Sequence, residues 1–195
     1  MGPPPVKSAL RAEMRARRSR RSSAERAVAA QGFRQQALSL PPVAEGPRVA
    51  AFIGGGGEPD TLPLLDALHA RRVSVLLPVL LDDDDLDWAC YSPGRQAQGR
   101  LGLPVPTTPG LGVDSVSTVS AVLCPGLAVD HQGRRLGRGG GSYDRALARC
   151  GADVLRCQLA YDDEVVAAVP TASHDQPVDV IVTPTRVVWT SAREE

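Results

Sequence analysis

Residues 119–145 read Val-Ser-Ala-Val-Leu-Cys-Pro-Gly-Leu-Ala-Val-Asp-His-Gln-Gly-Arg-Arg-Leu-Gly-Arg-Gly-Gly-Gly-Ser-Tyr-Asp-Arg. The apolar run at the start, Val119 to Leu123, has the length and composition of a buried strand. The end leads into Ala146, Leu147 and Ala148, which open a helix. A glycine-rich loop between a strand and a helix lets backbone N–H groups converge on a phosphate. Gly137, Gly139, Gly140 and Gly141 carry no Cβ to block that approach. Arg134, Arg135, Arg138 and Arg145 add positive charge in a bidentate form, and Asp144 adds one carboxylate of the kind a magnesium ion takes. The stretch therefore predicts a strand–loop–helix unit shaped for a nucleotide and its metal.

The flanking sequence repeats the same alternation. Residues 6–20 predict a helix, with Val6, Leu10 and Met14 on one face and Lys7 and Arg11 four apart. The basic run from Arg15 to Arg21 reads as a solvated face. Ser22-x-x-Glu25 is a capping box that opens a second helix running toward Leu40, stopped by Pro41-Pro42. Strands are expected at 48–53, 73–77, 86–91, 116–123, 154–160 and 178–182. Helices are expected at 61–70, with Pro63 in the first turn, at 143–149 and, shorter, at 163–168; residues 186–189 add an edge strand. Such alternation implies an α/β fold: a three-layer α/β/α, Rossmann-like arrangement around a mainly parallel sheet, forming a single domain over 1–195 with loose tails at 1–5 and 190–195. Ligands in such sheets sit beyond the C-terminal strand ends, where the segments after Ile53 and Leu123 and those before Val178 converge.

Composition narrows the function classes. The 195 residues are 43% hydrophobic and 23% charged, enough for a substantial core. Aromatics are scarce, so that core must rest on Val, Leu, Ala and Ile. The formal net charge is zero, which argues against a general nucleic-acid binder, although the first forty residues are strongly basic. Asp82 to Asp85 form an acidic run that reads as a solvated loop. Cys90, Cys124, Cys150 and Cys157 show no Cys-x-x-Cys pairing and read as reduced, mostly buried thiols, consistent with a cytoplasmic protein. No apolar stretch is long enough for a membrane span, and the basic N-terminus has no following apolar segment of a secretory signal.

Spacing alone leaves the glycine-rich loop open to several readings. It fits neither the Walker phosphate loop nor a clean dinucleotide fingerprint. A solvated turn and an RNA-contacting Arg-Gly segment both remain, the latter with Tyr143 as its lone aromatic. The order of residues distinguishes further. Pro125-Gly126-Leu127-Ala128-x-Asp130-x-x-Gly133-x-Arg135-Leu136-Gly137-Arg138-Gly139-Gly140-Gly141-x-Tyr143-Asp144-Arg145 closely resembles the signature of the 5-formyltetrahydrofolate cyclo-ligase (methenyltetrahydrofolate synthetase) family. Lys7-x-x-Leu10-Arg11 resembles that family's N-terminal basic motif and Glu58-x-Asp60 its substrate segment. Val169-Pro170, His174-Asp175 and Val178-Asp179-x-Ile181-Val182-Thr183 resemble its C-terminal block. Four features depart from the pattern: Val129 in place of an aromatic, Ser142 in place of a first tyrosine, the glycine run Gly54 to Gly57, and Val105 in Gly102-Leu103-Pro104-Val105-Pro106, where many relatives carry Glu.

The resemblance implies an ATP- and Mg²⁺-dependent enzyme that cyclises 5-formyltetrahydrofolate to 5,10-methenyltetrahydrofolate; with the charge balance and the lack of an apolar span, a monomer without nucleic-acid or membrane partners is expected. By residue, it implies that Lys7, Arg11, Arg135, Leu136, Gly137, Arg138, Gly139, Gly140, Gly141, Ser142 and Tyr143 bind ATP, with Arg138 and Lys7 directed at the transferred phosphoryl group. It assigns Ile53, Glu58 and the Arg138, Gly139, Gly140, Gly141, Ser142 run to folate, and Asp144 and Asp175 to Mg²⁺. A paralogue that keeps the fold and binds nucleotide or a folate-like ligand without this catalysis is the alternative, and an Arg-Gly RNA binder a third.

Overall fold

The computed structural model describes residues 5–99 and 104–193. Of the expected N-terminal tail only Pro5 is described; Gly102, Leu103 and residues 194–195 also lie outside the described residues. In chain order the elements are α1 (Pro5–Ser19), α2 (Ser23–Ala37), α3 (Pro41–Ala44), β1 (Arg48–Ala50), α4 (Leu62–Ala70), β2 (Ser74–Leu80), β3 (Leu86–Cys90), β4 (Gln96–Gln98), β5 (Pro104–Pro106), β6 (Ala121–Cys124), β7 (Ala128–Asp130), β8 (Arg135–Leu136), α5 (Ser142–Ala148), β9 (Leu155–Leu159), β10 (Val165–Val166), β11 (Val180–Val182) and β12 (Val187–Trp189).

The capping box forms as the sequence implies. Ser22 Oγ accepts the Glu25 N–H at 3.2 Å, and the Glu25 carboxylate accepts the Ser22 N–H at 2.7 Å. Pro41 and Pro42 do more than stop α2: they open the single-turn α3, where a missing N–H removes no helical bond.

Seven strands make the central sheet in the order β12-β11-β9-β6-β1-β2-β3. The five inner strands pair in parallel, and β12 and β3 close the edges antiparallel. Alternation along the strands divides the core. Val49, Val75, Leu77, Leu123, Leu155 and Val182 face Phe33 of α2 and Leu64, Leu65 and Leu68 of α4. Ala50, Leu76, Val122, Cys124 and Ile181 face Ala146 and Leu147 of α5, with Trp88 and Val116. This is the expected three-layer α/β/α single domain. No helix among the described residues is long and apolar enough to cross a membrane.

Several expectations are corrected. Residues 116–118, read as the start of a strand, belong to a 3-10 helix over Val113–Thr118. Ser115, Ser117 and Thr118 hydroxyls bond back to the carbonyls of Leu111, Asp114 and Ser115, which draws this backbone away from the sheet. The long 124–145 loop holds a hairpin, β7 and β8, joined by β10 into a second, three-stranded sheet. The Asp130 carboxylate makes its turn by accepting the Gln132 and Arg134 N–H groups. Residues 163–168, expected as a short helix, split into a 3-10 turn over Asp162–Glu164 and the strand β10, where Val165 and Val166 suit an extended backbone. The strands β4 and β5 were not anticipated.

Two charged runs are less solvated than their composition implies. Arg18 is 3% exposed, paired to a fully buried Glu164. Asp85 is buried and takes both terminal nitrogens of Arg149. The stretch from 190, read as a loose tail, starts with a buried Thr190 whose hydroxyl donates to the Val178 carbonyl at 2.6 Å, and Ser191–Arg193 form a 3-10 turn.

Candidate active site

A cleft of about 1170 Å³ opens at the C-terminal ends of the parallel strands. Ile53 and Glu58 follow β1, Pro125 and Gly126 follow β6, and the C-terminal half of β2 supplies Leu77 to Leu80. The second sheet stands beside the first and carries Arg135. Helix α1 lies on that second sheet, with Leu10 and Met14 packed on Leu127, Ala128, Leu136 and Val169. This places Lys7 and Arg11 at the cleft wall. The site residues that the resemblance implies all line this one cleft: Lys7, Arg11, Ile53, Glu58, the run from Arg135 to Asp144, and Asp175. Arg134, counted above among the loop's cations, does not, because its Nε donates to Asp130 Oδ2 at 2.7 Å in the turn of the hairpin.

The cleft has two chemically distinct ends. Leu77, Val79, Leu80, Leu86 and Val105 make one end apolar. At the other, three cations are matched to three carboxylates. Lys7 Nζ lies 2.8 Å from Asp175 Oδ2, Arg135 Nη2 lies 2.5 Å from Asp144 Oδ1, and Arg138 Nη2 lies 2.9 Å from Glu58 Oε1. Arg11 Nε donates to the Gly137 carbonyl at 2.9 Å, so α1 grips the glycine-rich loop directly. Gly141 ends that loop at φ +71°, a left-handed conformation that a side chain would strain, and starts α5.

Electrostatics at this end follow from burial and pairing. Burial alone would raise the Asp175 carboxyl, but the Lys7 ammonium and the Ala172 N–H, 2.7 Å away, hold it below the usual range. Burial pushes the Tyr143 hydroxyl well above its ordinary value, so it stays a neutral donor. That hydroxyl is buried with no hydrogen-bond partner among the described residues. The neighbouring Cys124 thiol is pushed up to about 11 by burial and is no nucleophile at neutral pH.

Two carboxylates suit a divalent cation. Asp144 is held through Oδ1, and Asp175 through Oδ2, by basic groups that a phosphate could take over. The two loops meet: the N–H of Gln176, next to Asp175, donates to Asp144 Oδ1 at 3.1 Å. No cluster of three or more His, Cys, Asp or Glu exists among the described residues. Two hard oxygen donors without a full protein cage fit Mg²⁺, which keeps water and phosphate oxygens in its shell.

The departures from the motif have local reasons. A Cβ on Gly54 would stand 1.9 Å from the Pro59 carbonyl oxygen, so the glycine run lets the turn to Glu58 fold back on itself. Val129 is fully buried, pairing with Val165 of β10, while Val105 and Ser142 line the cleft. Arg145, named from sequence among the loop's cations, lines the cleft and donates to the Asp84 carbonyl at 2.5 Å, whereas sequence reasoning missed Gln176. It also missed Arg18 and Glu164 just behind the cleft. The uniformly basic run from Arg15 to Arg21 held no signal for Arg18, whose partner is 146 positions away.

Comparisons with known proteins identify what the whole chain is similar to. The model of the 5-formyltetrahydrofolate cyclo-ligase family matches residues 4–184. The chain is 36% identical over 146 residues to a 5-formyltetrahydrofolate cyclo-ligase of Mycolicibacterium smegmatis, covering 72% of this chain and 75% of that protein. It is 33% identical over 156 residues to one from Escherichia coli, covering 77% and 85%. Among solved structures, a 5,10-methenyltetrahydrofolate synthetase of Aquifex aeolicus superposes with a TM-score of 0.80 at 29% identity, covering 94% of this chain and 92% of that one.

Proposed function

Because this chain belongs to the 5-formyltetrahydrofolate cyclo-ligase family, we propose that it converts 5-formyltetrahydrofolate and ATP into 5,10-methenyltetrahydrofolate, ADP and phosphate. The observation that carries this reading is the two-ended cleft: an apolar floor for a pteridine beside a polar end where four basic side chains meet two metal-competent carboxylates.

The chemical obstacle is the formyl group. Its carbon is a poor electrophile because the nitrogen lone pair is shared with the carbonyl. Transfer of the γ-phosphoryl group to the formyl oxygen breaks the bond to ADP and removes that obstacle. N10 then attacks the activated carbon and loses its proton, and the carbon–oxygen bond breaks with release of phosphate as the ring closes. The protein's contribution is positioning and charge neutralisation.

Lys7, Arg11 and Arg135 hold the triphosphate, with Leu136, Gly137, Gly139, Gly140, Gly141 and Ser142 lining it and the unpartnered Tyr143 hydroxyl available as a donor. Arg138 turns from Glu58 to the transferred phosphoryl group, where fixed positive charge stabilises the transition state. Glu58, released, accepts N–H groups of the folate, and Ile53 packs against its ring. Asp144 and Asp175 hold Mg²⁺, which when bound neutralises phosphate charge. Cys124 and Cys150 are buried thiols outside any disulfide, which supports a cytoplasmic setting.

The test is an absorbance assay for the methenyl product with purified protein, 5-formyltetrahydrofolate and Mg-ATP, with ADP measured in parallel. Equal amounts of methenyl product and ADP are expected, and neither without ATP or Mg²⁺. Tight Mg-ATP binding with no product would replace this reading with that of a non-catalytic paralogue.

A further inference from the structure

Helix α1 carries two kinds of cation on one face. Lys7, Arg11, Met14 and Arg18 follow at intervals of four, three and four, so their side chains share a stripe along the helix. Lys7 and Arg11 reach the cleft and Met14 is fully buried. Arg18, about 16 Å from Lys7 along the axis, points into the protein and not at the cleft.

The surroundings of Arg18 form a built site. Its Nε donates to Glu164 Oε1 at 2.6 Å, and its Nη2 donates to Glu164 Oε2 at 2.9 Å and to the Gly126 carbonyl at 2.5 Å. Glu164 has no solvent exposure, and its Oε2 also accepts the Tyr161 N–H at 3.1 Å. One guanidinium thus joins three segments: α1, the cleft floor after β6, and the turn after β9. The apolar grip on α1 is small by comparison, resting on Leu10 and Met14, while Val6 is exposed. Other polar ties, Arg11 on the Gly137 carbonyl and Arg17 on the Asp163 carbonyl at 2.6 Å, are single hydrogen bonds. Apolar contact alone leaves rotation and sliding of the helix weakly fixed. A bidentate fork is directional and fixes both.

We propose that Arg18 is a positioning residue: its lock onto Glu164 and Gly126 sets the rotation and height of α1, and so places Lys7 and Arg11 against the nucleotide phosphates. The proposal rests on the functional reading above, since it assumes that these two side chains meet phosphate. It adds a residue outside the cleft to the binding machinery.

A cycle of variants tests it. Arg18→Met with Glu164→Leu removes both buried charges together, an exchange that buried ion pairs often tolerate, whereas removing one partner alone strands a charge. Lys7→Ala is made in the parent and in this unlocked protein. The dissociation constant of a non-hydrolysable Mg-ATP analogue is measured for all four proteins by calorimetry, with thermal unfolding to report folding. We expect the unlocked protein to bind at least tenfold more weakly than the parent. Lys7→Ala should cost tenfold or more in the parent but less than threefold in the unlocked protein, because Lys7 is no longer in place. Side chains this far apart otherwise act independently. Equal fold losses in both backgrounds, or parent-like binding by the unlocked protein, would overturn the lock. Should the double variant fail to fold, Arg18→Lys keeps the charge and loses the fork, and the same cycle decides. A parent that does not bind the analogue would instead sink the functional reading itself.

Discussion

At one end of the cleft Lys7, Arg135 and Arg138 sit on segments far apart in sequence, each tied to a carboxylate; Lys7 and Asp175 are 168 positions apart. At the other end Leu77, Val79, Leu80 and Leu86 sit on the antiparallel neighbours β2 and β3, placed by strand register alone. The first end is assembled by specific pairs, the second by the sheet. Three basic groups crowded without counter-charges would repel one another and open the site. Stored as neutral pairs they cost little, and a phosphate with its metal can exchange partners with them. The apolar end needs no such device, and its contacts are graded and replaceable.

The sharpest expected break in this comparison comes from removing one phosphate-directed charge. Lys7→Ala and Arg138→Ala should each lower kcat/KM for ATP by roughly 10- to 150-fold, the weight of a charge-assisted hydrogen bond of about 1.5–3 kcal/mol. They should differ in their second effect. Arg138 also pairs with Glu58, so its loss should move the folate KM, whereas loss of Lys7 should not. Steady-state kinetics with each substrate varied in turn will show it; parent-like ATP dependence in both variants would remove the polar end as the triphosphate site.

A smaller effect is expected where a pair is loosened on its acidic side. Asp144→Asn leaves Arg135 a neutral acceptor and takes one oxygen ligand from the metal. Affinity for Mg-ATP should fall by about tenfold, one charge-assisted contact of about 1.4 kcal/mol, while affinity for free ATP should hold or rise. Calorimetry with and without Mg²⁺ separates the two. Equal weakening of both forms would mean that Asp144 serves structure and not the metal.

The two ends also differ in how far sequence alone reveals them. Arg135, Arg138, Asp144 and the glycines are legible because their types and order carry chemistry that few other sequences need. The sheet around them is legible from apolar runs such as Ala121 to Cys124. Val79 and Leu80 are not legible as cleft residues, since nothing in an apolar side chain says whether it faces a helix or a ligand; only the place of β2 beside β3 does. The hairpin of β7 and β8 stayed hidden because strands of three and two residues, broken by Gly133, show no periodicity. Arg18 stayed hidden for a different reason. Burial of a cation depends on a distant partner, and the arginines around it make the segment look solvated.

The smallest effect belongs to the apolar side and measures how graded it is. Ile53 follows β1, lines the cleft and is partly buried against the core. Ile53→Val removes one methylene and keeps the β-branched shape, so the backbone leading to Glu58 has no reason to move. Losing one buried methylene costs about 0.8 kcal/mol, which corresponds to about a fourfold rise in the folate KM. The ATP KM and kcat should stay at parent values, because no charge pair touches this side chain. A rise beyond about tenfold, or any shift in ATP dependence, would show that the apolar end is coupled to the phosphate end through the Gly54–Glu58 turn. The two ends would then act as one unit, and the division drawn between them would fail.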